Sequence, residues 1–265
     1  MLSGHRYQFN QPQAVALDGP DVWVTNSGEG SVTEVDAASG AVVRVLKGHR
    51  YEFNQPQAVA SDGADVWVVN DPYGGGSVTE VDAASGALVR VLTGHRYRFD
   101  EPGAIALDGP DVWVANSGGD SVTELDAATG ALVQVLDGPA YGFSYPGGIA
   151  SDGRHVWVAN ALGGSVTELD AASGALVQVL DGPAYGFNNP VAVASDGASV
   201  WVTDDPSSGS GWVTELDTAS GALVKVLDGS AYGFNSPEGI ASDGARVWVA
   251  NATGDSVTEF PTSSR

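Results

Sequence analysis

The chain has 265 residues, with 33 Asp or Glu against 11 Lys or Arg and a formal net charge of −22 at pH 7. So acidic a molecule is a poor ligand for nucleic-acid phosphates and for anionic membranes, both of which reward basic surfaces. The absence of cysteine excludes disulfides and thiolate metal sites, and there is no apolar run of about 18 residues to form a transmembrane helix.

Residues 13–17 are small and end at Asp18-Gly19, a turn signal, so they read as a short strand. Residues 22–26, Val-Trp-Val-Thr-Asn, alternate around a large aromatic and read as a second strand. A four-residue loop, 27–30, leads to a third strand at 31–35, and Asp36 to Gly40 forms a tight hairpin before a fourth strand at 41–46. Every connection is short, so the strands form an antiparallel meander, and no segment carries the 3.6-residue period of a helix. The unit then recurs. Its tryptophans fall at 23, 67, 113, 157, 201 and 248, at spacings of 44, 46, 44, 44 and 47. Such a period marks one array of stacked units, none of which buries its apolar faces without neighbours. The expectation is therefore one all-β domain over 1–265, a six-bladed β-propeller of four-stranded antiparallel blades. The repeats run over about 5–48, 49–94, 95–138, 139–182, 183–229 and 230–265.

The last unit stops at residues 260–265, before its fourth strand, so the sixth blade is expected to be incomplete and closed by the N-terminus. Met1 to Gly4 aligns with Val45 to Gly48, the end of a fourth strand. Either the closure is naturally short, or the chain is a piece of a longer protein. The second reading also accounts for a start without the basic and apolar regions of a secretory signal. It would make the protein extracytoplasmic; otherwise the compartment is open. A monomer is expected, with edge pairing at the bare side of blade six.

Val-Trp-Val-Thr-Asn, then Ser-Val-Thr-Glu-Val-Asp-Ala-Ala-Ser-Gly-Ala-Val-Val-Arg-Val-Leu, then Pro-Gln-Ala-Val-Ala-Leu-Asp-Gly, resembles the YVTN family of propeller repeats. The resemblance covers essentially the whole chain and extends more loosely to NHL-type and virginiamycin-lyase-like propellers. It implies the fold far more firmly than a function. Trp replaces the motif's Tyr, and a Glu enters each third strand, at positions 34, 80, 124, 168, 215 and 259. Acids inside a strand need a partner or solvent.

Functional information lies where the copies disagree. The loop between the second and third strands has six residues in unit 2 and seven in unit 5, each starting Asp-Pro, and four elsewhere. This pattern resembles a three-blade unit used twice, which would put the long loops on opposite sides of a ring. Tyr73 and Trp212 lie in or beside the long loops, and Tyr145 is an extra aromatic in an inter-blade segment; aromatics on loops are plausible contacts. Units 1–3 carry His5-Arg6, His49-Arg50 and His95-Arg96 where units 4–6 carry Pro-Ala or Ser-Ala, forming a basic arc on the same face. That arc docks an anionic group or offsets nearby acids. The Tyr-x-Phe-x-x-Pro connections and the Asn ring at 26, 70, 116, 160 and 251, with Asp204, read as packing and strand-end caps.

There is no cysteine nucleophile and no Gly-x-Ser-x-Gly elbow, and three of the four histidines are copies of one repeat position. His155 alone is non-repeating, and it falls on the face opposite the long loops. The turn aspartates do not converge as a calcium site requires. The residues therefore point to a non-catalytic binding scaffold presenting its loop-rich face to a protein, peptide or glycan, with no catalytic residue, metal or cofactor assigned. The alternative is a metal-assisted lyase or hydrolase with an axial site, which the virginiamycin-lyase resemblance implies.

Overall fold

A computed structural model describes residues 2–71, 75–206, 210–228 and 231–262. Its contacts divide it into two compact units, Met1–Val135 and Leu136–Arg265.

The first unit holds three four-stranded antiparallel sheets. Blade one is β1 (Pro12–Asp18), β2 (Asp21–Asn26), β3 (Ser31–Asp36) and β4 (Val42–Lys47). Blade two is β5 (Pro56–Ser61), β6 (Asp65–Asn70), β7 (Ser77–Asp82) and β8 (Leu88–Leu92). Blade three is β9 (Pro102–Asp108), β10 (Asp111–Asn116), β11 (Ser121–Asp126) and β12 (Leu132–Leu136). The second unit repeats the plan. Blade four is β13 (Pro146–Ser151), β14 (His155–Asn160), β15 (Ser165–Asp170) and β16 (Leu176–Leu180). Blade five is β17 (Pro190–Ser195), β18 (Ser199–Asp204), β19 (Trp212–Asp217) and β20 (Leu223–Leu227). Blade six is a three-stranded sheet of β21 (Pro237–Ser242), β22 (Arg246–Asn251) and β23 (Ser256–Pro261). The fold is all-β, a six-bladed β-propeller, with only two single-turn 3-10 segments, His49–Tyr51 and Pro139–Tyr141, among the described residues.

Local chemistry sets each sheet. In the outer hairpin Asp36 accepts from the Ser39 amide at 2.7 Å and from its hydroxyl, while Gly40 takes a φ of 68° that favours glycine. Two successive Ser39 bonds hold the Asp36 carboxyl below its ordinary range. The inner turns use the same device: the Asp62 carboxylate accepts from the amides of Ala64 and Asp65 at 2.9 and 2.8 Å.

The tryptophans fill the wedges between sheets. Trp67 is fully buried among Ala58, Val78, Leu92, Tyr97 and Phe99, so it ties blade two to the chain entering blade three. Trp23, Trp113, Trp157 and Trp201 are equally buried, while Trp248 of blade six is only partly covered. The N-terminus also has a seat within the first unit. Leu2 lies against Gly40 of blade one as Leu46 lies against Gly86 of blade two. It thus stands where a preceding blade's fourth strand would place its leucine.

Candidate functional site

Each loop between second and third strands is bonded to the connection entering its own blade. Ser27 N–H donates to the Gln11 carbonyl at 3.1 Å, Ala161 to Tyr145 at 3.1 Å, and Ala252 to Ser236 at 2.9 Å. Loops and connections therefore share one end of each sheet, which we call the loop face. In five of the six blades the Asn at the end of the second strand braces it from below. Asn26 is fully buried and its Nδ2 donates to the Val24 carbonyl at 3.3 Å and Thr33 Oγ1 at 3.1 Å. Thr33 Oγ1 in turn donates to the Tyr7 carbonyl at 2.8 Å, fixing the connection to the blade. These amides are strand-end braces, with their donors consumed by backbone and threonine.

The Tyr-x-Phe pairs are packing too. Their rings stack with centroids 5.1 to 5.6 Å apart, and Tyr7, Tyr51 and Tyr97 are almost wholly buried. In the first unit each Tyr hydroxyl donates to a hairpin carbonyl, Gly40 or Gly86 at 2.9 Å and Gly130 at 3.2 Å. Arg6, Arg50 and Arg96 lie over these rings at 4.7, 4.5 and 4.5 Å and donate to the same hydroxyls. The basic half of the His-Arg arc is thus spent on capping tyrosines. His5, His49 and His95 remain exposed, and each lines a shallow groove. The first groove, of about 730 Å³, also holds Phe9, Glu29 and Lys47; the second, about 530 Å³, Glu52 and Phe53; the third, about 610 Å³, Arg98 and Asp100. These three grooves belong to the first unit.

Of the loop aromatics, Tyr73 lies outside the described residues. Tyr145 is 45% exposed on the loop face of blade four. Trp212 is half-buried as the first residue of β19, its indole nitrogen against Gly186. It pairs in register with Asp204, where other blades pair Asn with Ser (Asn26 with Ser31, Asn160 with Ser165). Asp204 is fully buried, and its Oδ1 accepts from the Asn188 and Asn189 amides at 2.7 and 2.9 Å. Its Oδ2 has no hydrogen-bond partner. Burial pushes this carboxyl up to about 6, with those two amide bonds pulling it back.

The strand glutamates resolve into cross-strand pairs. Arg44 Nε meets Glu34 at 2.6 Å, Arg90 Nε meets Glu80 at 2.9 Å, and Lys225 Nζ meets Glu215 at 3.1 Å. Gln134 and Gln178 donate to Glu124 and Glu168 at 2.6 Å, and in blade six Arg246 reaches Glu259 from β22. In all but the last, the partner lies ten residues on, a spacing visible in the sequence. Despite their arginines, Glu34 and Glu80 are pushed up to about 7, because burial comes first and Asp21 and Asp18, or Asp65 and Asp62, add like charge.

His155 sits at the opposite end of blade four, with Nδ1 3.4 Å from Asp152 and Nε2 3.6 Å from Glu168. Those carboxylates are already engaged, Asp152 by Trp157 Nε1 at 3.2 Å and Glu168 by Gln178. A catalytic divalent ion needs three or more converging donors. Among the described residues no group of three His, Cys, Asp or Glu is arranged to hold a metal ion.

One exposed side chain was not singled out from the sequence. Leu162, in the loop of blade four, is 76% exposed, and its amide donates to the Ser144 carbonyl at 3.2 Å beside Tyr145. The signal was present: aligned loops hold Gly28, Gly118 and Thr253 there.

No family model matches the chain, and no curated protein matches it. Solved structures do. A hydrazine synthase of Kuenenia stuttgartiensis aligns over 98% of this chain and 79% of that one, at 21% identity and a TM-score of 0.76. A streptogramin B lyase aligns over 99% and 90%, at 16% identity and a TM-score of 0.76. A nidogen/laminin complex aligns over 82% and 80%, at 16% identity and a TM-score of 0.62. At these identities the likeness is one of fold, and it spans enzymes and a binding assembly alike.

Proposed function

We propose that the chain is a YVTN-type propeller acting as a non-catalytic scaffold whose loop face binds a protein, peptide or glycan. The observation that carries this reading is the fate of the polar groups inside the blades. The Nδ2 groups of the repeated Asn residues are engaged by strand backbone and threonine and the strand glutamates by neighbouring strands, and His155 lies between two carboxylates that other side chains already engage. The differences that packing does not demand lie on the loop face. Exposed His5, His49 and His95, with Tyr145 and half-buried Trp212, are its proposed contacts; Tyr73 belongs to the same set by sequence. Arg6, Arg50 and Arg96 contribute by holding the connections that carry the histidines.

The test is to display the full chain to peptide and glycan arrays and rescreen each ligand with one variant on either face. Tyr145→Gln changes the loop face, and Arg154→Ala changes an exposed turn residue at the other end of blade four. Ligands that lose affinity with the first and keep it with the second support the reading. Ligands sensitive only to the second, or turnover of any arrayed compound, overturn it.

A further inference from the structure

The two units present very different loop faces. In the first, residues 3–12, 27–30, 47–56, 71–76, 93–102 and 117–120 carry five Lys or Arg and three His among six acids. In the second, residues 137–146, 161–164, 181–190, 205–211, 228–237 and 252–255 carry five acids and no Lys, Arg or His. Those acids are Asp137, Asp181, Asp205, Asp228 and Asp255, all exposed except the half-buried Asp205. The same face carries two exposed non-repeating apolar side chains, Tyr145 at 45% and Leu162 at 76% exposure. The two segments that carry them are bonded to each other, Ala161 and Leu162 donating to the carbonyls of Tyr145 and Ser144 at 3.1 and 3.2 Å.

Other blades do without both side chains. Gln11 and Gln55 occupy the Tyr145 position with φ of 51°, against 56° for Tyr145 itself, so a polar residue serves the backbone equally well. Glycine serves at the Leu162 position in blades one and three. Exposed apolar side chains cost solubility unless something covers them. The charge of the same loop face says what does. A field of one sign attracts a partner of the other and repels its own kind.

We propose that the loop face of the second unit docks a basic peptide segment, rich in Lys or Arg and carrying an apolar side chain. Tyr145 and Leu162 cover the apolar group, and the exposed carboxylates of the same loop face hold the cations. This rests on the loop-face binding reading and adds the chemistry of the partner.

The experiment uses the full chain and three labelled peptides of equal length, titrated by fluorescence anisotropy. One is Lys/Arg-rich with a central Trp, one has the same charge without the Trp, and one is Asp/Glu-rich with the Trp. The first is expected to bind at least roughly tenfold tighter than either of the others. Its affinity should fall as salt rises from about 50 to about 300 mM, since exposed charges are screened over that range. The pair Tyr145→Gln and Leu162→Gly, residues that other blades already carry, should cost it about tenfold while leaving the urea midpoint unchanged. Equal binding of the acidic and basic peptides, or no effect of the pair at unchanged stability, overturns the proposal but leaves loop-face binding standing. A failure of all three peptides alongside array ligands that map to the loop face does the same. The absence of any loop-face ligand in either experiment overturns both.

Discussion

At the scale of single residues, Asp204 shows how one atom changes the behaviour of a repeat. Its counterparts are asparagines whose Nδ2 donates to the strand carbonyl two residues back and to a third-strand threonine, as Asn160 does to Val158 at 3.4 Å and Thr167 at 2.9 Å. With Oδ1 fixed by the Asn188 and Asn189 amides, Oδ2 takes the seat of that amide nitrogen, and Thr214 Oγ1 already spends its proton on the Tyr185 carbonyl. Only a protonated Oδ2 donates there, in accord with a carboxyl pushed up to about 6. The sign follows. The folded state holds this proton more tightly than the unfolded chain, so stability is full below about pH 4 and is lost as pH rises through 6. Asp204→Asn restores the donor and removes the titration. The urea midpoint of the variant should exceed that of the parent, and the gap should widen by about 1 kcal/mol between about pH 5 and about pH 7. A gap that narrows or stays constant over that range refutes the assignment. The sequence displayed the exchange, since Asp204 and Trp212 stand where other repeats carry Asn and Ser. What it hid was that Oδ2 is buried without a partner, which depends on how connection 188–189 closes over it.

At the scale of elements, the second-strand tryptophan is the wedge and the connection is the latch. Trp67→Ala removes a fully buried ring between two sheets and should cost about 3–5 kcal/mol, read from the shift in urea midpoint. Trp248→Ala, at a partly covered position, should cost clearly less; equal losses would show that the wedge is not what binds the sheets. The latch is tested at Gly30, with φ of 60°, where a Cβ would lie 2.4 Å from the Phe53 carbonyl oxygen. Gly30→Ala should therefore cost about 2 kcal/mol or more, whereas Gly48→Ala, at positive φ with nothing near its Cβ, should cost only the backbone strain. These elements were legible in the sequence because strand alternation, turn chemistry and the tryptophan period all point to one architecture. The glutamates were not, although Glu34 and Arg44 or Glu80 and Arg90 stand a constant ten residues apart. Pairing across a hairpin depends on register, and each of these hairpins shifts register just past its glutamate, between Glu34 and Val35 or Glu80 and Val81. The His-Arg arc was half legible. Its exposed histidines follow from a surface loop, but the arginines fold back onto tyrosines one residue away, which needs the ring positions to be seen.

At the scale of the molecule, a net charge of −22 meets a set of buried and half-buried carboxyls whose ionisation burial opposes. Burial raises Glu34 and Glu80 to about 7 and Asp204 to about 6, and it also pushes Glu124, Glu168, Asp65 and Asp111 upward. Each of these contributes stability that is present at low pH and lost as pH rises through its folded value. Asp36, Asp82, Asp126, Asp196 and Asp243 carry the opposite sign, being held low by hydrogen bonds, and their contribution is lost as pH falls below the ordinary carboxylate range. The two sets bracket an optimum between them. Self-repulsion of the folded surface acts with the first set, since it grows as the remaining acids ionise and is weakened by salt. The urea midpoint should therefore peak near about pH 5 and decline toward about pH 8. Raising NaCl from about 10 to about 200 mM should lift it more at the higher pH than at the optimum. Were the midpoint to stay level from pH 5 to 8, Glu34 and Glu80 would be ionised partners of Arg44 and Arg90 throughout. Glu34→Gln made together with Glu80→Gln separates the two cases: it should flatten the decline above pH 6 if these carboxyls carry it, and leave the slope untouched if surface repulsion alone does.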